Sequence, residues 1–124
     1  MKHIKMKKAD AEKWLAALRS GQYEQSKSKM FDGQGYCCLG VLQMELGGEI
    51  VKQEPMELPS YSWLVSKGIT FYNAEGYTTY SPNIGDSHNN SASSLNDCGV
   101  SFLELADLLE REIEYTDIQE GEVA

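Results

Sequence analysis

The sequence has only two histidines and three cysteines, and this scarcity limits the chemistry that its side chains can perform. Three cysteines cannot all pair within one chain, and Cys37 and Cys38 are adjacent, a spacing that would strain a disulfide. We therefore predict reduced cysteines and a cytoplasmic location. A glycine-rich phosphate loop is also lacking, since Gly33-Gln34-Gly35 has neither a third glycine nor a following Lys-Ser or Lys-Thr pair. No cofactor is predicted.

Long apolar runs are absent, so no segment is expected to span a bilayer or contact a membrane. The beginning of the sequence is basic, but the polar stretch Ala9-Asp10-Ala11-Glu12-Lys13 follows it, which predicts no export signal. A chain of 124 residues with 41% hydrophobic residues fits one domain. We place this domain at residues 1–115 and predict a polar, frayed tail at residues 116–124.

Positive charge is scarce after residue 29. The net charge of -8 divides into +5 over residues 1–29, -6 over residues 30–103 and -7 over residues 104–124. An acidic surface repels phosphate, so general nucleic-acid binding is disfavoured. An acidic last helix that imitates DNA is a weaker alternative, because only that helix has closely spaced carboxylates.

Two segments in the first half have the spacing of buried helical faces. Trp14, Leu15 and Leu18 predict a helix over residues 11–20 that ends at Gly21. A second helix is expected over residues 38–46, where leucines recur at helical spacing before a pair of glycines.

The last helix has the clearest signal for its first residue. Ser101 is followed three residues later by Glu104, which is the pattern of a capping box. Its predicted buried face consists of Phe102, Leu105, Ala106, Leu109 and Ile113.

Short strands are expected between these helices. Residues 69–73 and 77–81 are rich in Thr, Tyr and Phe and predict a hairpin, with a short helix before it at residues 61–66. Residues 22–30 predict an edge strand that turns at Asp32-Gly33. Ile50-Val51 is a further strand candidate, and residues 83–94 are expected to form a loop because they contain few apolar side chains. The pattern predicts an α+β fold, with N- and C-terminal helices on a short antiparallel sheet.

Three blocks of sequence stand out by their order: WLAALRSGQYEQ at residues 14–25, GYCCLGVL at 35–42 and LNDCGVSFLELADLLE at 95–110. Together they resemble an uncharacterised family of small proteins encoded by bacteriophages and prophages. The resemblance implies action in the cytoplasm of a bacterial host cell, but it lends no activity. The segment after Gln25 is richer in glycine and arginine in that family, whereas Ser26-Lys27-Ser28-Lys29 keeps the charge and changes the geometry.

Cys38 is the first candidate for catalysis. At a helix N-terminus the helix dipole would lower the pKa of its thiol, and His88 would be the base of a small thiol hydrolase. The competing interpretation is that Cys38 packs in the core as a small apolar side chain. A zinc site formed by Cys37, Cys38, Cys98 and His88 is disfavoured, because adjacent cysteines rarely converge on one metal ion.

The second candidate is a basic face, defined here as Arg19, Tyr23, Gln25, Lys27, Lys29 and Tyr36. If residues 22–30 form a strand, the odd-numbered side chains share one side of it. That side offers rings for stacking on a base and cations for a phosphate. The competing interpretation is an edge strand that its lysines protect from aggregation.

These observations favour a binding protein without catalysis over an enzyme. The hypothesis is a phage counter-defence factor that sequesters a small anionic nucleotide signal or blocks a host protein. Association of identical chains is left open.

Overall fold

The computed structural model describes residues 2–47, 58–88 and 90–118, which form five helices and four short strands. The helices are α1 (Lys8–Ser20), α2 (Cys38–Glu45), α3 (Tyr61–Ser66), α4 (Ala92–Asp97) and α5 (Phe102–Glu112). The strands are β1 (Ile4–Met6), β2 (Thr70–Tyr72), β3 (Thr78–Thr79) and β4 (Ile113–Tyr115).

The four strands form one sheet in the order β3-β2-β1-β4. Ile4 of β1 pairs with Phe71 of β2 in an antiparallel ladder and with Ile113 of β4 in a parallel one. The predicted α+β class is confirmed. The sheet is mixed rather than wholly antiparallel, because α5 continues directly into β4 alongside β1.

The core lies between the sheet and the helices, and Trp14 of α1 connects both. Its indole Nε1 donates a hydrogen bond of 2.9 Å to the Cys38 carbonyl at the start of α2. Its ring centroid lies 6.5 Å from that of Phe71 in β2. Trp14 is fully buried, so this one side chain holds α1, α2 and the sheet together.

Helix α2 lies directly against the backbone that precedes it. A Cβ atom on Gly40 would overlap with the carbonyl oxygen of Met30, so only glycine permits this approach. The Met30 carbonyl also accepts a hydrogen bond of 3.2 Å from the Cys37 backbone N–H. Residues 24–30 are therefore fixed against α2 instead of extending from a sheet.

Several predicted elements are present. Helices α2 and α3 and the β2–β3 hairpin occur where the sequence indicates. Gly21 ends α1 with a left-handed φ of 76°. Ser101 caps α5 by accepting a hydrogen bond from the Glu104 backbone N–H.

Three predictions of secondary structure are wrong or incomplete. Residues 22–30 form no strand, and only isolated bridges occur there, such as the one between Gln25 and Tyr36. Helix α1 begins at Lys8, three residues earlier than predicted. The expected loop at 83–94 contains the start of α4, and Asn83 in it is only 4% exposed. Hydrogen bonds of the Asn83 side chain and the burial of Ile84 and Ala92 both order this segment. The candidate strand Ile50-Val51 lies outside the described residues.

The predicted tail begins with residues that contact the body of the domain. The Thr116 backbone N–H donates to the Met6 carbonyl at 2.9 Å, and Asp117 accepts from the Lys8 backbone N–H at 3.0 Å. Residues 119–124 of the predicted tail lie outside the described residues. Among the residues that are described, no helix is both long and apolar enough to cross a membrane.

Candidate ligand-binding cleft

Arg19 of the predicted basic face is occupied by contacts within the protein. Its guanidinium donates to Asp107 at 2.8 Å and to Glu110 at 3.3 Å, both on α5. The hydrogen bonds to these carboxylates raise the pKa of Arg19. Arg19 thus connects α1 to the acidic face of α5, and the positive charge that was predicted to hold an anion is already compensated.

The aromatic members of the basic face pack on each other. Tyr23 donates a hydrogen bond to Glu45 at 2.6 Å. Burial of the phenol is the larger cause, and this hydrogen bond the second, that raises the pKa of Tyr23 to about 12. Its ring meets Tyr36 edge-on at 5.2 Å, and Phe31 stacks on Tyr36 at 4.7 Å. The rings form a small internal cluster that positions residues 23–36.

Gln25 also serves the fold. Its amide nitrogen donates to the Asn96 side chain at 2.9 Å and to the Val100 carbonyl at 2.7 Å, and its oxygen accepts from the Phe102 backbone N–H at 3.1 Å. Lys27 and Lys29 are exposed. The six predicted residues therefore do not form one free surface, because three of them are bonded to other parts of the chain.

A small cavity of about 80 Å³ lies next to these lysines, lined by Ser28, Cys37, Leu58, Ser93 and Asp97. Ser28 has a left-handed φ of 73°, and its backbone N–H donates to Asp97 at 2.7 Å. Because the one charged residue among the described lining is the acidic Asp97, this lining does not attract phosphate.

The structure does not bring Cys38 and His88 together. Cys38 is fully buried, and desolvation raises the pKa of its thiol well above the ordinary value, opposite to the predicted effect of the helix dipole. The side chain of His88 is 70% exposed and pairs with Glu75. The core interpretation of Cys38 is confirmed. Within residues 2–47, 58–88 and 90–118, no three metal-binding side chains are clustered.

A larger cleft of about 270 Å³ opens between the β2–β3 hairpin and the segment that leads into α4. Its polar lining includes Glu75, Thr79, Ser81, Asn83, His88 and Ser94. Neutral hydroxyl and amide groups therefore dominate the lining, and no lysine or arginine belongs to the lining described by the structure.

Local hydrogen bonds give the cleft its shape. In the hairpin turn, the Asn73 side-chain oxygen accepts from the backbone N–H groups of Glu75 and Tyr77, each at 3.0 Å. On the opposite wall, the Asn83 amide donates to the Gly85 and Ser87 carbonyls at 2.8 and 3.2 Å. The walls are thus held by side chains that bond their own neighbouring backbone.

The two walls meet through a serine and through one contact between a histidine and a glutamate. Ser81 Oγ, after the hairpin, accepts from the Ser93 backbone N–H at 3.0 Å. His88 Nδ1 lies 2.7 Å from Glu75 Oε1. This contact uses one carboxylate oxygen and one ring nitrogen. The second carboxylate oxygen of Glu75 and the second ring nitrogen of His88 form no hydrogen bond to the described residues, so both can bond to a ligand.

The sequence contained part of the signal for this cleft. The predicted hairpin places its turn at Ala74-Glu75-Gly76, and the scarcity of apolar side chains in residues 83–94 predicts a polar loop. Neither pattern could show that the two segments lie side by side, because their contact depends on tertiary packing.

Fold and site together define a small α+β domain with a polar surface cleft. The chain belongs to the family described as a domain of unknown function, DUF8296, whose family profile matches residues 6–113. Comparisons with curated proteins and with solved structures gave no match.

Proposed function

We propose that this protein is a non-catalytic binding protein that holds a small polar molecule in the cleft between the β2–β3 hairpin and α4. The observation that supports this proposal is a cleft of about 270 Å³ whose lining combines hydroxyls, amides and one Glu–His pair. Concave sites with a few converging polar groups are where proteins usually bind small molecules.

The arrangement of the serines favours binding over catalysis. Ser91 Oγ accepts from the Ser94 backbone N–H at 3.2 Å and donates to Ser94 Oγ at 2.9 Å. Ser81 Oγ is an acceptor for the backbone of residue 93. No described serine is hydrogen-bonded to His88, so no described serine is paired with the base that would activate it as a nucleophile.

The proposal includes a biological role that follows from the resemblance to phage proteins. A phage-encoded protein of this kind would act in the bacterial cytoplasm as a counter-defence factor by removing a small signalling molecule from solution. Blocking a host protein is the alternative form of the same role, and it would use a surface other than the cleft.

The test compares the protein with a variant whose cleft is filled. Ala74 lines the cleft, so Ala74→Trp should obstruct it, while Ala16→Trp adds the same ring to an exposed position of α1. Each protein is dialysed to equilibrium against a small-molecule extract of bacterial cells, and retained compounds are identified by mass spectrometry. We expect a compound that wild type and Ala16→Trp retain and Ala74→Trp does not. Equal retention by all three proteins, or none by any, would contradict the proposal.

A further inference from the structure

We infer that the cleft binds an uncharged ligand with neighbouring hydroxyl groups, as in a free sugar or the ribose of a nucleoside. This inference rests on the proposed function, and it narrows the ligand to a chemical class that differs from the anionic nucleotide expected from the sequence.

Charge is the first argument. Glu75 lies in the cleft, and Asp86 belongs to the segment that forms one wall. His88 is the only described lining residue that carries a positive charge when protonated, and its ring nitrogen already lies 2.7 Å from Glu75. A phosphate or carboxylate would meet the Glu75 carboxylate with no lysine or arginine among the described lining residues to attract it, so an anionic ligand is disfavoured.

Hydrogen-bonding capacity is the second argument. The Glu75 carboxylate oxygen that does not face His88 is an acceptor, and a carboxylate can accept from two adjacent hydroxyls of one ligand. Thr79 and Ser81 line the same cleft with hydroxyls that both donate and accept. A ligand with several hydroxyl groups can bond to these atoms, whereas an apolar ligand would leave the second Glu75 oxygen and the Thr79 hydroxyl without a hydrogen bond.

The third argument is an exposed ring close in sequence to the lining of the cleft. Tyr77 lies between Glu75 and Thr79, which both line the cleft, and 72% of the residue is exposed. Aromatic rings at such positions can cover the apolar C–H face of a sugar, which supplies contact area next to the polar groups.

The experiment is a titration of isotope-labelled protein followed by amide chemical shifts. The probes are D-glucose, adenosine, their 2-deoxy and 2′-deoxy analogues, AMP and spermidine. We expect glucose or adenosine to shift amides of residues 73–94, and its deoxy analogue to bind about tenfold more weakly, because one hydroxyl is lost from a charged acceptor. Glucose distinguishes a free sugar from the nucleoside, and AMP should bind more weakly than adenosine.

Matched variants locate the binding on one side of the hairpin. Thr79→Val and Tyr77→Ala should each lower the affinity for the bound probe several-fold. Thr78→Val and Tyr80→Ala change neighbouring residues of the opposite parity and should leave the affinity unchanged. The inference is overturned if a deoxy analogue binds as well as its parent, if only AMP or spermidine binds, or if no probe binds. The dialysis experiment then tells whether the cleft binds a different class of molecule or none.

Discussion

Asn96 shows how one buried amide fixes the conformation of a polar segment. The side chain is fully buried in α4, donates to the Ser26 carbonyl at 2.7 Å, and accepts from Gln25 at 2.9 Å and from the Cys38 backbone N–H at 3.3 Å. The Ser26 carbonyl therefore finds its partner in a side chain, while the Ser26 backbone N–H donates to the Tyr36 carbonyl at an isolated bridge. A period-two pattern of polar residues could not reveal this, because the partner is 70 positions away in the chain.

The three cysteines should differ sharply in their reactivity. Cys98 is exposed, whereas Cys37 and Cys38 are buried and their burial raises the pKa of both thiols. Because the thiolate is the reactive form, iodoacetamide at neutral pH should modify Cys98 first and the other two only after denaturation. Peptide mass spectrometry measures this order. Rapid modification of Cys38 in the folded protein would revive the thiol-enzyme interpretation.

At the scale of elements, α5 depends on its cap and on one buried face. Ser101→Ala should lower the free energy of unfolding by about 1 kcal/mol through loss of the hydrogen bond to the Glu104 N–H. Leu105 is fully buried, so Leu105→Ala should cost about 2–5 kcal/mol. Leu103 on the same helix is 61% exposed, and Leu103→Ala is the control with little expected effect. Urea denaturation measures the free energy of unfolding of each variant. Equal losses for Leu103→Ala and Leu105→Ala would refute the assignment of Leu105 to the buried face of α5.

The elements that the sequence predicts well are those with local signals. Helix α5 has a cap and an apolar stripe within a dozen residues, and the β2–β3 hairpin has its turn between two aromatic-rich segments. Strands β1 and β4 have three residues each, which is too short for a period to be recognised. Ile113, which the sequence places on the apolar face of the last helix, instead begins β4, where it pairs with Ile4, and both residues are buried.

The sequence does not predict the cleft, because the signals that would reveal it are not local. Composition indicated that residues 83–94 are polar, and a polar segment was interpreted as a loop with nothing to order it. The ordering groups are Asn83 and Ser81, whose bonds to nearby and distant backbone can be recognised only once the hairpin is placed beside α4. For the predicted basic face the difference runs the other way, since Arg19 and Gln25 have chemistry suited to a ligand and in the structure bond to α5 and α4.

At the scale of the whole molecule, the two ends of the described chain hold each other. The β1–β4 pairing joins residues 109 positions apart, and a buried side-chain pair beside it, His3 and Glu112, is separated by the same distance. His3 Nδ1 lies 2.7 Å from Glu112 Oε1, and the other carboxylate oxygen accepts from the Gly85 backbone N–H at 2.9 Å. Glu112 therefore connects β1, the end of α5 and the wall of the cleft that contains Asn83 and His88.

Removing this carboxylate should loosen all three parts. Glu112→Ala leaves the ring nitrogen of His3 and the Gly85 N–H without their partner, and the loss at the buried His3 costs about 1–3 kcal/mol. Glu114→Ala is the matched control, because that residue forms only an exposed pair with Lys5 at 3.7 Å, worth about 0–1 kcal/mol. Urea denaturation compares the free energies of unfolding of the two variants. Hydrogen exchange of the Gly85 amide should be faster in Glu112→Ala and unchanged in Glu114→Ala. If the two variants are equally stable and the Gly85 amide remains protected, the wall of the cleft is held by its own loop, through the Asn83 side chain, without help from the ends of the chain.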